Sequence, residues 1–140
     1  MNAIEFQKLS ADATLPTRAY PDDAGLDLYA SEDGVLAPSE GKVFSTGIAV
    51  AVPPQHVGMV VDRSSMAKKG IKTVGGIIDS GYRGELKVLL WNLSKEPLRV
   101  TRGERIAQLL ILPIKTPQAQ AVTTLPPAER GARGFGSSGK

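Results

Sequence analysis

The sequence predicts an all-β fold, a sandwich or a barrel built from short strands. Fifteen glycines and ten prolines among 140 residues interrupt the chain at short intervals, and these residues mark turns. The segments between them are rich in β-branched and aliphatic residues, and several alternate in polarity. None of them sustains helical spacing over three turns, so the pattern is typical of a β-sandwich or β-barrel.

Four segments are predicted to be the main strands, and one segment is predicted to be a short helix. The strands are residues 43–52, 57–61, 85–91 and 105–112. The helix is predicted within residues 64–70, where Ser64 is its N-cap and Gly70 follows its last residue. There is no internal repeat, and no linker is expected before Pro113. We therefore predict a single domain, in which residues 1–114 form the β-barrel.

Residues 115–140 are predicted to form an extended arm followed by a glycine-rich lid. Residues 115–127 are rich in proline, glutamine and threonine, and such an arm often docks on a neighbouring subunit. The tail from Arg130 to Lys140 holds four glycines and one aromatic residue, too little apolar surface to fold alone. A flexible terminus is one interpretation. The other is a binding segment for a phosphorylated ring compound, because arginines grip phosphate and Phe135 can stack on a base.

The composition excludes several kinds of chemistry. The chain has no cysteine and a single histidine, His56, which rules out disulfides, thiolate nucleophiles and histidine-rich metal clusters. Carboxylates, hydroxyls, amides and cations remain, together with an oxygen-bound Mg²⁺. The net charge of +3 suits an anionic small molecule better than a nucleic acid. The N-terminus shows no charged-then-apolar signal pattern and no apolar run approaches membrane length, so we expect a cytoplasmic protein without a membrane partner.

Four interior segments carry candidate functional residues, each with a structural alternative. Asp27 in an apolar strand start can hold a hydrated cation or serve as a turn aspartate. Residues 62–65 can bind an anion at the start of the predicted helix or cap it with a serine. Residues 73–84 predict a hairpin in which Asp79, in partly apolar surroundings, can act as a base toward water, or a tight turn. Gln108, among aliphatic residues, positions a water or phosphate, or makes a structural hydrogen bond.

Five segments, in this order, resemble the five motifs of the homotrimeric dUTP pyrophosphatase (dUTPase) family. They are Ala-Gly-Leu-Asp-Leu at 24–28, Arg-Ser-Ser-Met-Ala at 63–67, Gly-Ile-Ile-Asp-Ser-Gly-Tyr-Arg-Gly at 76–84, Gly-Glu-Arg-Ile-Ala-Gln at 103–108 and Arg-Gly-Ala-Arg-Gly-Phe-Gly-Ser-Ser-Gly at 130–139. The third and fifth segments are highly specific, and together the five span nearly the whole chain. The resemblance implies a jelly-roll-like fold, a threefold homotrimer and Mg²⁺-assisted hydrolysis of dUTP to dUMP and pyrophosphate.

The resemblance also implies a role for each matching residue. Asp79 matches the aspartate that activates the attacking water, and Gln108 is assigned to the catalytic group with it. Tyr82 packs under the deoxyribose and excludes a 2′-hydroxyl, and Asp27 lies near the water shell of the metal. The other expected substrate contacts are Arg63, Ser64, Ser65, Gly76, Ile77, Ile78, Lys87, Arg130, Phe135, Gly136, Ser137 and Ser138. In this family three subunits share each site, and one of them supplies the tail in trans.

The chain departs from the family pattern at four positions. Asp62 stands where glycine or proline often precedes the Arg-Ser pair, and we expect its carboxylate to point away from the phosphates. Thr73 replaces the asparagine of some bacterial members, and Arg133 replaces a frequent glycine. Ser138 replaces a common threonine, which is a mild change.

Two other functions compete with dUTP hydrolysis. A dCTP deaminase shares the fold and the phosphate motifs, but it needs an acid/base group beside C4 of cytosine, usually a glutamate. A non-catalytic β-module that binds nucleotides would keep Arg63, Arg130 and Phe135 but would not need Asp79. The pairing of Asp79 with Tyr82 favours the hydrolase over both.

Overall fold

The computed structural model describes residues 3–139, which form ten β-strands and one short helix. In chain order the elements are β1 (Glu5–Lys8), β2 (Leu26–Tyr29), β3 (Gly34–Leu36), β4 (Gly41–Ala51), β5 (His56–Val61), α1 (Ser64–Lys68), β6 (Ile71–Val74), β7 (Ile77–Ile78), β8 (Glu85–Asn92), β9 (Leu98–Val100) and β10 (Arg105–Pro113). The predicted all-β class with one short helix is confirmed. The four predicted main strands correspond to β4, β5, β8 and β10, with ends that differ by two residues at most.

The strands form two four-stranded sheets and one two-stranded sheet, and all their pairings are antiparallel. The first sheet has the order β1-β4-β8-β6, the second β2-β10-β5-β7, and β3 pairs with β9. Side chains alternate along β8, where Leu86, Val88 and Leu90 are fully buried while Lys87 and Trp91 are exposed. Because successive side chains of a strand point to opposite faces, this alternation gives the sheet one core face and one outer face.

The core is a single cluster of aliphatic side chains and one phenylalanine, Phe44, contributed by both large sheets. Leu28 and Leu109 from the second sheet meet Phe44 and Leu86 from the first, and all four are fully buried. Full burial of one such side chain contributes about 1.5–3 kcal/mol of hydrophobic stabilisation. The outer faces of the sheets therefore stay available for functional side chains.

Helix α1 ends as predicted but begins differently. Gly70 follows the C-cap residue Lys69 with a positive φ of 81°. The N-cap is Arg63, and the prediction of a Ser64 cap is wrong. The carbonyl of Arg63 accepts the first helical hydrogen bonds, from the N–H groups of Met66 and Ala67 at 3.0 and 2.9 Å. Ser64 is thus already the first helical residue.

The segment predicted as a hairpin, 73–84, is a crossing between the two large sheets. Strand β6 pairs with β8 in the first sheet, whereas β7 pairs with β5 in the second. The chain crosses at Gly75 and Gly76, whose φ angles are 71° and 100°. A Cβ on Gly76 would lie 2.4 Å from the carbonyl oxygen of Val60, so only glycine fits there. The hairpin prediction is wrong because two glycines between apolar runs also permit a change of sheet.

The C-terminal segment lies on the outside of the molecule. Every residue from 112 to 139 is exposed, and no strand follows β10 within residues 114–139. Ile114 still bonds the barrel, because its N–H donates to the carbonyl of Gln55 at 2.9 Å. Within residues 3–139 no helix has the length and apolar character to span a membrane. The cytoplasmic location stays a prediction.

Candidate active site

Asp27 and Gln108 are neighbours on the outer face of the second sheet. Gln108 of β10 lies opposite Asp27 of β2 on one side and Val61 of β5 on the other. The residues that flank them along the strands, such as Leu28 and Leu109, are buried in the core. Strand alternation therefore directs Asp27 and Gln108 to the outer face. The structure brings together two predicted residues from distant motifs.

Arg63 joins this group by an ion pair. Its Nε donates to Oδ1 of Asp27 at 3.0 Å, and its Nη1 donates to the carbonyl of Arg105 at 3.2 Å and to Oγ of Ser65 at 3.4 Å. The guanidinium of Arg105 lies 3.6 Å from Oδ2 of Asp27. Asp27, with a side chain only 15% exposed, thus lies between two arginines. This arrangement holds Arg63 in one orientation and leaves its Nη2, which has no bond within residues 3–139, available to an anion.

Gln108 is held by a backbone bond and by a close glycine contact. Its Nε2 donates to the carbonyl of Asp62 at 2.7 Å, which is the structural hydrogen bond considered above. A Cβ on Gly25 would lie 2.0 Å from Oε1 of Gln108. The glycine of the Ala-Gly-Leu-Asp-Leu motif therefore leaves the space that the Gln108 amide occupies.

Asp62 turns away from this group, as expected from the sequence. Its Oδ1 accepts hydrogen bonds from the N–H and the hydroxyl of Thr73, at 2.6 and 2.7 Å. Lys72 Nζ lies 3.1 Å from its Oδ2. Burial opposes ionisation of Asp62, but the bonds from Thr73 and the charge of Lys72 outweigh it and lower the pKa of the carboxyl below its usual 3.8. Asp62 is therefore ionised at neutral pH, and Lys72 compensates its negative charge.

A second group of predicted residues lines an open cavity of about 300 Å³ beside β7 and β8. The lining residues are Gly76, Ile77, Ile78, Asp79, Tyr82, Glu85 and Lys87. The hydroxyl of Tyr82 donates to the carbonyl of Glu85 at 2.8 Å, and its N–H donates to the carbonyl of Asp79 at 3.1 Å. These two bonds fix the tyrosine ring at the rim of the cavity next to the aspartate.

Asp79 is exposed within the single chain. The sequence predicts partly apolar surroundings for it, and Ile77, Ile78 and Tyr82 line the same cavity, but the aspartate itself is exposed. The reason is its position in the turn between β7 and β8, where the described part of the same chain does not cover it.

Two residues of these groups were missed by sequence reasoning, Glu85 and Arg105. Oε2 of Glu85 accepts the N–H groups of Thr46 and Gly47, at 3.2 and 3.3 Å, where the β4–β8 register shifts at a bulge. Both residues lie within or directly beside the matched motifs, and that proximity was the only available signal. Their partners depend on strand register, which no local pattern shows.

The tail does not reach either group in the same chain. The predicted tail residues Arg130, Phe135, Gly136, Ser137 and Ser138 are all exposed. Arg130 and Arg133 exchange bonds, with each Nε donating to the carbonyl of the other at 2.8 and 3.0 Å. No side-chain hydrogen bond links residues 130–139 to the described strands.

Ser64, also exposed, stands beside Ser65 at the start of α1.

The side chains suit Mg²⁺ only through water and phosphate. No cluster of three or more His, Cys, Asp or Glu side chains occurs within residues 3–139. Asp27 is a hard oxygen ligand of the kind Mg²⁺ accepts, but Arg63 already occupies one of its oxygens. Mg²⁺ commonly keeps several waters and binds substrate phosphates with one or two carboxylates. The residues therefore fit a metal held mainly by phosphate, with Asp27 at its water shell.

Comparison with known proteins identifies the family. The dUTPase family model matches residues 11–139. A deoxyuridine 5′-triphosphate nucleotidohydrolase of Corynebacterium glutamicum is 44% identical over 142 aligned positions, which cover 99% of this chain and 95% of that protein. The mouse protein of the same name is 43% identical over 139 positions, covering 99% of this chain and 86% of that protein.

Solved structures give the same result. A mutant dUTPase of Staphylococcus bacteriophage 80alpha, solved with dUpNHpp, superposes with a TM-score of 0.92 at 34% identity, covering both chains completely. A mutant dUTPase from phage phi11 of S. aureus, whose structure reveals the coordination of a structural Mg(II) ion, superposes with a TM-score of 0.81 at 29% identity, over 88% of this chain and 98% of that one. The chain therefore belongs to the dUTPase family.

Proposed function

We propose that the chain hydrolyses dUTP to dUMP and pyrophosphate, which removes dUTP as a DNA precursor and supplies dUMP for thymidylate synthesis. The observation that carries the proposal is the cavity that holds Asp79, Tyr82 and the backbone of 76–78 together. These are the residues that the family resemblance assigns to catalysis, sugar recognition and base recognition. Related dUTPases that bind dUpNHpp support the choice of substrate.

Asp79 acts as the general base. Its carboxylate accepts a proton from a water molecule whose oxygen attacks the α-phosphorus, and the bond from that phosphorus to the bridging oxygen breaks. Pyrophosphate leaves and dUMP remains. Such proton transfer contributes about 10²–10⁴-fold in rate. The exposure of Asp79 leaves room for both the water and the substrate.

The cavity selects the nucleoside. The ring of Tyr82, fixed by its bond to the carbonyl of Glu85, lies under the deoxyribose and leaves no space for a 2′-hydroxyl. Backbone groups of Gly76, Ile77 and Ile78 read the uracil edge, and Lys87 supplies a cation in the lining of the cavity. Phe135 of a tail covers the base by stacking.

The phosphates are bound by the outer face of the second sheet and by the tail. Arg63, held by Asp27, donates from Nη2 to phosphate oxygens, together with Ser64 and Ser65. Gln108 orients the reacting water or a phosphate. In the tail, Arg130 contacts the γ-phosphate, while Gly136, Ser137 and Ser138 supply further donors. When bound, Mg²⁺ neutralises charge on the phosphate oxygens.

A homotrimer with shared sites accounts for the separation of these parts. The Asp79 cavity, the Arg63 group and the tail are three separate sets of residues, and no side-chain hydrogen bond joins one set to another within residues 3–139. If three subunits each contribute one set, every active site is complete and closed to water. A sizing column gives the oligomeric state directly.

The decisive test of the activity is pyrophosphate release from dUTP, dTTP, UTP and dCTP, each with and without Mg²⁺. Among the four nucleotides we expect pyrophosphate release only from dUTP, and we expect that release to be much faster with Mg²⁺ than without it. Release of ammonia from dCTP would instead support the deaminase. Binding of dUTP with no product would support the non-catalytic module.

Replacement of Tyr82 by alanine is expected to weaken rejection of UTP. Without the ring, space opens beside C2′ of the sugar, and we expect the ratio of kcat/KM for dUTP over UTP to fall by about tenfold. Tyr82→Phe is the matched control, because it keeps the ring and loses only the bond to Glu85. Equal sugar discrimination in the alanine variant and the parent would contradict the stacking role.

A further inference from the structure

We propose that Asp62 and Thr73 form a clamp between the two large sheets that positions Arg63 and Gln108 for the substrate. The inference rests on the proposed function, because Arg63 and Gln108 act on dUTP. The clamp consists of the Asp62 carboxylate and its donors on β6, which are the N–H and hydroxyl of Thr73 and the ammonium of Lys72.

The clamp joins the end of one sheet to the edge of the other. Asp62 directly follows β5 in the second sheet, whereas Thr73 lies in β6, the edge strand of the first sheet. The N–H of Thr73 donates to Asp62, so an edge donor that would otherwise need water is satisfied. Thr73 is 7% exposed. The two bonds from Thr73 are therefore partly shielded from solvent, and they hold the two strands at a fixed separation.

The same residue holds the two functional side chains through its backbone. The carbonyl of Asp62 accepts the bond from Gln108 Nε2 at 2.7 Å, and Arg63 is the next residue in the chain. A rotation of the backbone at Asp62 would therefore move the Gln108 anchor and redirect Arg63 away from Asp27. The Asp62 side chain fixes that rotation, because its carboxylate is bonded to Thr73 and Lys72 on β6.

The negative charge of Asp62 is compatible with a nearby phosphate site because its donors on β6 compensate it. Oδ1 is occupied by both Thr73 donors and Oδ2 by Lys72, which is the one cation paired with Asp62 within residues 3–139. Hydrogen bonds from β6 therefore both compensate the carboxylate and restrict its position.

The test compares two variants with a control. Thr73→Val removes one hydroxyl and keeps the shape and the backbone donor, while Asp62→Ala removes the whole clamp. Ser94→Ala is the control, because its hydroxyl donates to Oδ1 of Asn92 at the same 2.7 Å in a turn that bears none of the site residues. We measure Tm, and kcat and KM for dUTP, in all three and in the unaltered protein.

We expect kcat/KM to fall by about threefold in Thr73→Val and by about thirtyfold in Asp62→Ala, since small misplacement of binding groups costs up to about 10²-fold. We expect Ser94→Ala to lower Tm by about as much as Thr73→Val does and to leave kcat/KM unchanged. The double variant of Asp62→Ala and Thr73→Val should be no worse than Asp62→Ala alone, because both act through one unit.

Unchanged kcat/KM in Thr73→Val and Asp62→Ala, with lowered Tm, would overturn the proposal and leave the clamp a purely structural feature. If Asp62→Ala does not fold, Thr73→Val decides alone. An unaltered protein without dUTP turnover would reject the proposed function instead. In that case a crystal structure of Thr73→Val tests the clamp separately. If the bond between Gln108 Nε2 and the carbonyl of Asp62 is unchanged in that variant, the positioning role of the clamp is contradicted.

Discussion

Asp79→Asn is expected to abolish dUTP turnover and to leave dUTP binding intact. The amide has the shape of the carboxylate but cannot accept a proton from water, so we expect kcat to fall by about 10³-fold or more. The fold should be unaffected, because Asp79 is exposed and its side chain forms no hydrogen bond within the described residues. The measurements are pyrophosphate release and the Kd of a non-hydrolysable dUTP analogue.

The control for this variant is Asp22→Asn, which makes the same chemical change at an exposed turn outside both groups of site residues. It should retain the parent rate. Hydrolysis by Asp79→Asn at close to the parent rate would show that another group activates the water. Loss of binding along with turnover would mean that Asp79 holds the substrate and does not only activate the water.

The sequence predicted the long strands well because each carries several periods of alternation. In β8 the exposed and buried positions alternate over eight residues. Strands β3 and β9 have three residues each and pair only with each other, so they carry too few periods to be recognised. The glycines at 75 and 76 were misread because their role depends on which sheet the next strand joins.

The candidate site divides in the same way. The cavity around Asp79 and Tyr82 was predictable because its residues are close along the chain, within one motif. The ion pair of Arg63 with Asp27 depends on the registers of β2, β10 and β5, and no local pattern reveals it. The exposure of Asp79 could not be predicted either, because it depends on which elements pack beside the turn between β7 and β8.

Truncation before Arg130 is expected to give a folded protein with severely reduced activity. Residues 130–139 are exposed and add nothing to the core, so Tm should change little. Activity should fall by about 10²-fold or more in kcat/KM, because removal of one electrostatic contact to the reacting group typically costs about 3 kcal/mol. Thermal unfolding and pyrophosphate release measure the two quantities separately. A truncated chain that fails to fold would contradict the assignment of the tail as a lid.

A mixture of the two inactive variants distinguishes a tail that acts in trans from one that acts in cis. The truncated chain keeps Asp79, and Asp79→Asn keeps the tail. If the tail closes over the site of a neighbouring subunit, trimers assembled from both chains contain some sites with an intact carboxylate and an intact tail. Co-refolding of the mixture should therefore restore activity well above that of either variant alone. A tail that closes over its own subunit would restore none, because every chain then lacks one of the two parts.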